Sequence, residues 1–224
     1  EETGNIRTDG NDLLRLYNTI YYKSGWQDAF KSSQTKQDTF TAADGAAQTV
    51  DFMHRTESGS YRKGDGYTAA SRSLNYGRMV FVLPDEGVTP ESLLQRQGFL
   101  AELTGDYNAA ELVWSVPKFD VKSSTELNGV LQALGVTDAF DMAEADFTPL
   151  TDNGAFLSSA MQAARVKIDE EGVEAAAYTE IVCADSAMME VPPTVEMDLD
   201  RPFLFVIFDN SNVPLFVGTV NTMA

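Results

Sequence analysis

Residues 203–208 read Phe-Leu-Phe-Val-Ile-Phe, an unbroken run of large apolar side chains. Successive side chains of a strand point to opposite faces, so this run, written as a strand, needs cover on both sides. After the turn DNSN (209–212), residues 214–220 (PLFVGTV) form a second strand, also apolar on both faces. Both are expected in the middle of a packed structure. The chain must therefore build a sheet with a layer on each face.

The upstream pattern supplies material for such a fold. In residues 12–23 (DLLRLYNTIYYK), Leu14, Leu16, Ile20 and Tyr22 share one face at a spacing of two, interrupted by Asn18. That spacing predicts a long strand with a buried polar residue. Phe81-Val82-Leu83 followed by Pro84-Asp85-Glu86-Gly87 predicts a buried strand ending in a turn. Thr89-Pro90-Glu91 opens a helix, with Leu93, Leu94 and Leu100 as its apolar positions. Residues 111–121 alternate, with Leu112, Trp114 and Val116 aligned. Thr125 opens a second helix, in which Leu127, Val130, Leu131 and Leu134 share a face and Gly135 ends it. Strands and helices mix without a βαβ rhythm, which predicts an α+β fold with mainly antiparallel sheet.

Charge and rare residues limit the function. The 224 residues include 16 basic and 34 acidic ones, a net charge of −18. Nucleic acid and anionic membranes are bound chiefly through Lys and Arg, so proteins or small molecules are the expected partners. No apolar run reaches the length of a membrane helix, and the first residues, EETGNIRTDGND, lack the pattern of a signal peptide. One cysteine, Cys183, and one histidine, His54, make neither a disulfide framework nor a structural zinc site, so no metal or cofactor is expected. There is no G-x-S-x-G elbow, and His54 has no recognisable triad context, so a hydrolase is not expected.

Residues 169–193 (DEEGVEAAAYTEIVCADSAMMEVPP) are long for a structureless connection, and such connections are usually functional or disordered. Written as a strand, 173–183 put Val173, Ala175, Ala177, Thr179, Ile181 and Cys183 on one face, uncharged and small at its start. Glu174, Ala176, Tyr178, Glu180 and Val182 take the other, and the stretch has no proline. A helix over Ala175-Ala176-Ala177 is the competing reading.

Here the residues resemble a known family. Glu170-Glu171-Gly172-Val173-Glu174-Ala175-Ala176-Ala177-Tyr178-Thr179 resembles the reactive-centre-loop hinge of inhibitory serpins, and Met197-Asp198-Leu199-Asp200-Arg201-Pro202-Phe203-Leu204 the signature just beyond the loop. Residues 17–26, from Tyr17 to Trp26, are similar to the long central-sheet strand and the tryptophan at its end. Val82–Gly87, Val116-Pro117-Lys118-Phe119 and Leu134–Phe140 resemble further blocks of the family, in the same order.

The resemblance implies a serpin fold, with mainly antiparallel mixed sheets, helices and a mobile reactive-centre loop at about 170–193. It implies a suicide-substrate inhibitor: a serine protease, with a cysteine protease as the alternative, cuts the loop and is held as a covalent acyl complex. The cut loop then enters the main sheet. The hinge is Glu170, Glu171, Gly172, Val173, Glu174, Ala175, Ala176, Ala177 and Thr179. Asn18 and Trp26 belong to the central sheet and the breach at its end. Counting from Glu170 puts the scissile bond at Ser186–Ala187, and counting back from Pro192-Pro193 puts it at Met189–Glu190. No basic residue lies between Lys167 and Arg201, so elastase-like or subtilisin-like targets are expected rather than trypsin-like ones. Cys183 fits as a small residue of the buried face, with a redox-sensitive thiol as the alternative. A non-inhibitory serpin acting as a binding or chaperone module is the other functional reading.

A complete serpin is longer, so residues 1–224 are expected to be the C-terminal part of one domain, monomeric, needing its N-terminal helical segment to complete the fold. Met161 stands where many animal serpins carry histidine. The wording AARVKIDEEGVEAAAYT and the scarcity of cysteine resemble bacterial serpins, which implies a secreted or surface-displayed protein.

Overall fold

A computed structural model describes residues 14–151, 154–173 and 192–223. The chain divides into two units, residues 1–21 with 122–165 and residues 22–121 with 166–224. In chain order the elements are β1 (Leu14–Ile20), β2 (Ser24–Gly25), β3 (Lys36–Thr41), β4 (Ala47–Gly64), β5 (Tyr67–Ser73) and β6 (Arg78–Pro84). Then come α1 (Pro90–Leu94), α2 (Phe99–Glu102), β7 (Asn108–Pro117), β8 (Phe119–Glu126) and α3 (Asn128–Ala133). The last are β9 (Leu157–Asp169), β10 (Gly172–Val173), β11 (Thr194–Asp198), β12 (Phe203–Phe208) and β13 (Pro214–Val220).

In the larger unit one sheet runs β11-β7-β4-β5-β6-β12-β13, with β3 also paired to β4. All its pairings are antiparallel except that of β11 with β7. β6 and β12 are central and explain the apolar run. Phe203, Phe205 and Ile207 enter one core with Phe81, Trp114 and Met53. Leu204, Val206 and Phe208 enter the other, where Leu93, Phe99 and Leu103 around α1 and α2 cover them. All six residues of β12 are buried, and each such side chain contributes about 1.5–3 kcal/mol. Helix α1 starts at the expected place: Thr89 accepts from the Ser92 N–H, Ser92 answers in a capping box, and Pro90 is the first helical residue.

In the smaller unit β1 runs parallel to β9, from Leu14 beside Leu157 to Ile20 beside Ala164. β8 also pairs with β9. Among the described apolar residues of this unit only Leu157 and Ala160 are buried, while Leu134, Met142 and Leu150 are 77%, 77% and 69% exposed.

Three expectations need correction. β13 is not interior: among the described residues it ends the sheet with β12 as its one neighbour, and Leu215 and Val217 stay 41% and 42% exposed. Asn18 is not buried. It is exposed beside Gln162 in the ladder, and Leu16 on the same face is 52% exposed, because no described residue covers that face. Thr125 does not open the second helix but lies in β8. The strand continues through Glu126, the Leu127 N–H donates to the Ala160 carbonyl, and α3 begins at Asn128. The Asn128 side chain extends that pairing, accepting from the Ala160 N–H and donating to the Ser158 carbonyl. Ladder pairing outcompetes helix propensity here. Gly135, at φ +94°, ends the helix as expected.

Candidate functional site

The end of β9 carries the described part of the segment expected to be the hinge. After Asp169 the chain turns through Glu170 and Glu171, and β10 follows. Gly172 and Val173 pair antiparallel with Asp169 and Ile168 of β9, and with Gly25 and Ser24 of β2. For two residues, then, the segment is already a strand between two others. The Asp169 carboxylate shapes the turn, its Oδ1 accepting from the N–H groups of Glu171 (3.0 Å) and Gly172 (3.3 Å). Gly172 has φ +144°, and a β-carbon there would stand 2.5 Å from the Ser24 carbonyl oxygen and 2.8 Å from the Trp26 nitrogen. Only glycine fits. Val173 is buried in the larger core.

The arch of residues 26–30 grips this turn by its carbonyls. The Trp26 indole Nε1–H donates to Asp169 O (3.0 Å), the Trp26 backbone N–H to Glu171 O (2.9 Å) and the Phe30 N–H to Glu170 O (2.9 Å). Trp26 is itself buried, in edge contact with Phe30. The Glu170 side chain adds a further tie. It accepts from the Thr35 hydroxyl at 2.8 Å and pairs with Lys118 Nζ at 3.0 Å. Partial burial pushes its carboxyl up, but hydrogen bonds from Thr35, its own backbone and Lys118, with the Lys118 charge, outweigh that and hold it below the usual glutamate range.

Sequence reasoning missed Lys118, Thr35, Phe30 and Asp169 as partners of the hinge. Lys118 and Thr35 lie 52 and 135 residues from Glu170, and no local pattern marks such a pair. Of the expected site, Glu170, Glu171, Gly172, Val173 and Trp26 come together here. Asn18 lies in β1 of the smaller unit. Glu174, Ala175, Ala176, Ala177, Thr179, Cys183, Ser186, Ala187, Met189 and Glu190 lie outside the described residues.

His54 stands opposite Ser115 in the β4–β7 ladder, and Ser115 stands opposite Asp198 of β11. Serine is thus in the middle of the row, whereas a hydrolytic triad needs the imidazole between hydroxyl and carboxylate. Asp198 is pushed up by burial, partly offset by the Ser115 hydrogen bond. Among the described residues no group of three or more His, Cys, Asp or Glu is placed to hold a metal ion. No helix of the described residues is long and apolar enough to cross a membrane.

Comparison with known proteins finds a family model, Serpin (serine protease inhibitor), matching residues 4–223. Serpin B11 of Mus musculus is 31% identical over 222 residues, covering 94% of this chain and 56% of that protein. Alpha-1-antiproteinase 2 of Equus caballus is 30% identical over 219 residues, covering 95% and 50%. The crystal structure of human thyroxine-binding globulin complexed with thyroxine superposes with a TM-score of 0.81 at 27% identity, covering 97% of this chain and 58% of that one. The chain therefore spans about half the length of the curated relatives it matches. Those relatives come from mouse, horse, wheat and tick, so the likeness to bacterial serpins is not borne out.

Proposed function

The chain belongs to the serpin family, and from that premise we propose that it is a suicide-substrate inhibitor of serine proteases. Its target is elastase-like or subtilisin-like, and it acts as a secreted or cell-surface protein. Residues 1–224 are then the C-terminal part of one serpin domain, a reading supported by the exposed Leu134, Met142 and Leu150. About 170–193 form the reactive-centre loop.

The observation that carries this reading is β10. Serpin loop insertion is an established case of β-strand addition and released strain. Here the first two residues beyond the turn already pair on both sides, and Val173 is buried. Written on as a strand, the sequence after Val173 would place Ala175, Ala177, Thr179, Ile181 and Cys183 on the same face, uncharged and small at its start.

In this mechanism the protease serine attacks the loop carbonyl at Ser186 (or Met189), expelling the amine of Ala187 (or Glu190) and forming an acyl-enzyme. The freed loop inserts, carries the protease with it, and distorts the catalytic site before water hydrolyses the ester. Each new ladder hydrogen bond contributes about 0.5–1.5 kcal/mol net, and a buried Ile181 about 1.5–3 kcal/mol. A dozen inserted residues thus supply a driving force comparable to a domain's whole stability, roughly 5–15 kcal/mol.

The test is to mix the full-length protein with elastase and run a denaturing gel with mass spectrometry of the released peptide. A complex that survives boiling in detergent, with a peptide beginning at Ala187, is the expected result. A peptide beginning at Glu190 moves the bond to Met189. Clean cleavage without complex, repeated with subtilisin and chymotrypsin, rejects inhibition. It would favour a non-inhibitory binding module, the reading that the likeness to thyroxine-binding globulin supports.

A further inference from the structure

Beneath the arch of residues 26–30 sits a charged cluster that the hinge contacts do not themselves require. Arg72 of β5 is only 4% exposed. Its Nε and Nη2 fork onto Glu57 at 2.9 and 3.1 Å, and Nη2 also donates to the Asp28 carbonyl at 2.7 Å. The guanidinium carbon lies 4.0 Å from the centre of the Phe30 ring and 5.0 Å from that of Trp26. Arg55 of β4 works beside it: its Nη1 donates to the Ala29 carbonyl at 2.8 Å, its Nε stands 2.6 Å from Glu57, and Nη2 is 3.6 Å from the Asp28 carboxylate. Two arginines joined through one glutamate therefore hold consecutive carbonyls of the arch, and one of them underlies both of its aromatic rings.

Stability does not explain this choice of residues. Apolar side chains of similar volume often serve a buried position as well as an ion pair or better. Burial of Arg72 works against its charge, and Glu57 restores only part of that. Arg72 Nη1 is buried with no hydrogen-bond partner among the described residues, which is a further penalty. What a forked guanidinium provides that leucine does not is direction: fixed donors toward Glu57 and Asp28, and a flat face for aromatic rings.

We infer that Arg72, together with Glu57 and Arg55, is the positioning group of the hinge clamp, fixing the arch whose Trp26 and Phe30 N–H groups hold the carbonyls of residues 169–171. By doing so it sets how readily the hinge admits the loop into the sheet. This last step rests on the inhibitory reading above; the positioning itself does not.

The test uses the uncut full-length protein and the variants Arg72→Met, Arg72→Lys and Glu57→Gln. Two quantities are measured: amide hydrogen exchange residue by residue, and uptake of a synthetic peptide with the sequence of residues 174–185. In Arg72→Met the Trp26 and Phe30 amides should exchange about tenfold faster or more, with β6 and β12 unchanged, and peptide uptake should accelerate several-fold. Arg72→Lys, charged but without the fork, should fall between Met and the parent. If Arg72→Met does not fold, the isosteric Glu57→Gln gives the same readout. Unchanged Trp26 and Phe30 exchange, or acceleration spread equally over β6 and β12, would overturn the assignment. Selective opening of the arch in a protein that takes up no peptide in any form leaves the positioning role standing and rejects loop insertion instead.

Discussion

At Gly172 the space a β-carbon would occupy is filled by backbone of residues 24–26, which has no rotamer to change. Gly172→Ala should therefore lift β10 from β2 and destabilise the uncut protein by about 1–3 kcal/mol. A lowered urea midpoint at constant slope would record it, and an unchanged midpoint would contradict the packing described. Glu170 gives a pH prediction. Its carboxyl is held below the usual glutamate value of about 4.3. Its tie to the clamp is thus complete above that value and is lost as the pH falls through the lowered pKa. Emission from Trp26 should stay constant from neutral pH down to the usual glutamate value and change only below it, while Trp114, fully buried in the core, serves as internal reference. Lys118→Met removes one cause of the lowering, so the change should begin at higher pH; coincident curves would remove Lys118 from the account. The turn at residues 170–173 was singled out in the sequence, because glycine, glutamate and small residues stand there in the order that resembles a serpin hinge. Its partners were not, since Thr35, Phe30 and Lys118 approach only through the closing of the sheet.

Elements followed the sequence where local pattern and tertiary cover agreed. β6 and β12 were legible as interior strands, and α1 by its capping residues. β13 is nearly as apolar as β12 but lies at the edge of the described sheet, and Pro214 and Gly218, which β12 lacks, are the signals of that position in its sequence. The difference should be measurable. Phe205→Ala in β12 empties a fully enclosed site and should cost about 3–5 kcal/mol, whereas Leu215→Ser in β13 should change stability by about 0.5 kcal/mol or less. Similar losses at both positions would mean that β13 is covered in the protein under test. The helix start misplaced at Thr125 has the same origin: residues 125–127 suit a helix locally, but pairing with β9 claims them first.

For the molecule as a whole, burial is uneven. Nearly all the buried apolar side chains belong to the larger unit, while the described part of the smaller one contributes Leu157 and Ala160. In residues 1–224 on their own, amides of β1 should therefore exchange at least 100-fold faster than those of β6 and β12, because local opening follows local burial. Equal protection would show that β1 is stabilised in some way its exposed Leu16 and Asn18 do not reveal. The two-residue strand β10 bears on kinetics as well as on place. Ordered growth of a chain is usually delayed by the first contacts, which fix several residues for little return. With Gly172 and Val173 already paired, the proposed insertion would find its nucleus in place before the loop is cut, and growth would have a single origin and a single direction. On the inhibitory reading proposed above, loop entry would behave as a one-ended polymerisation: a fault at Ala175 would stall every later step, whereas the same fault at Cys183 would delay only the last.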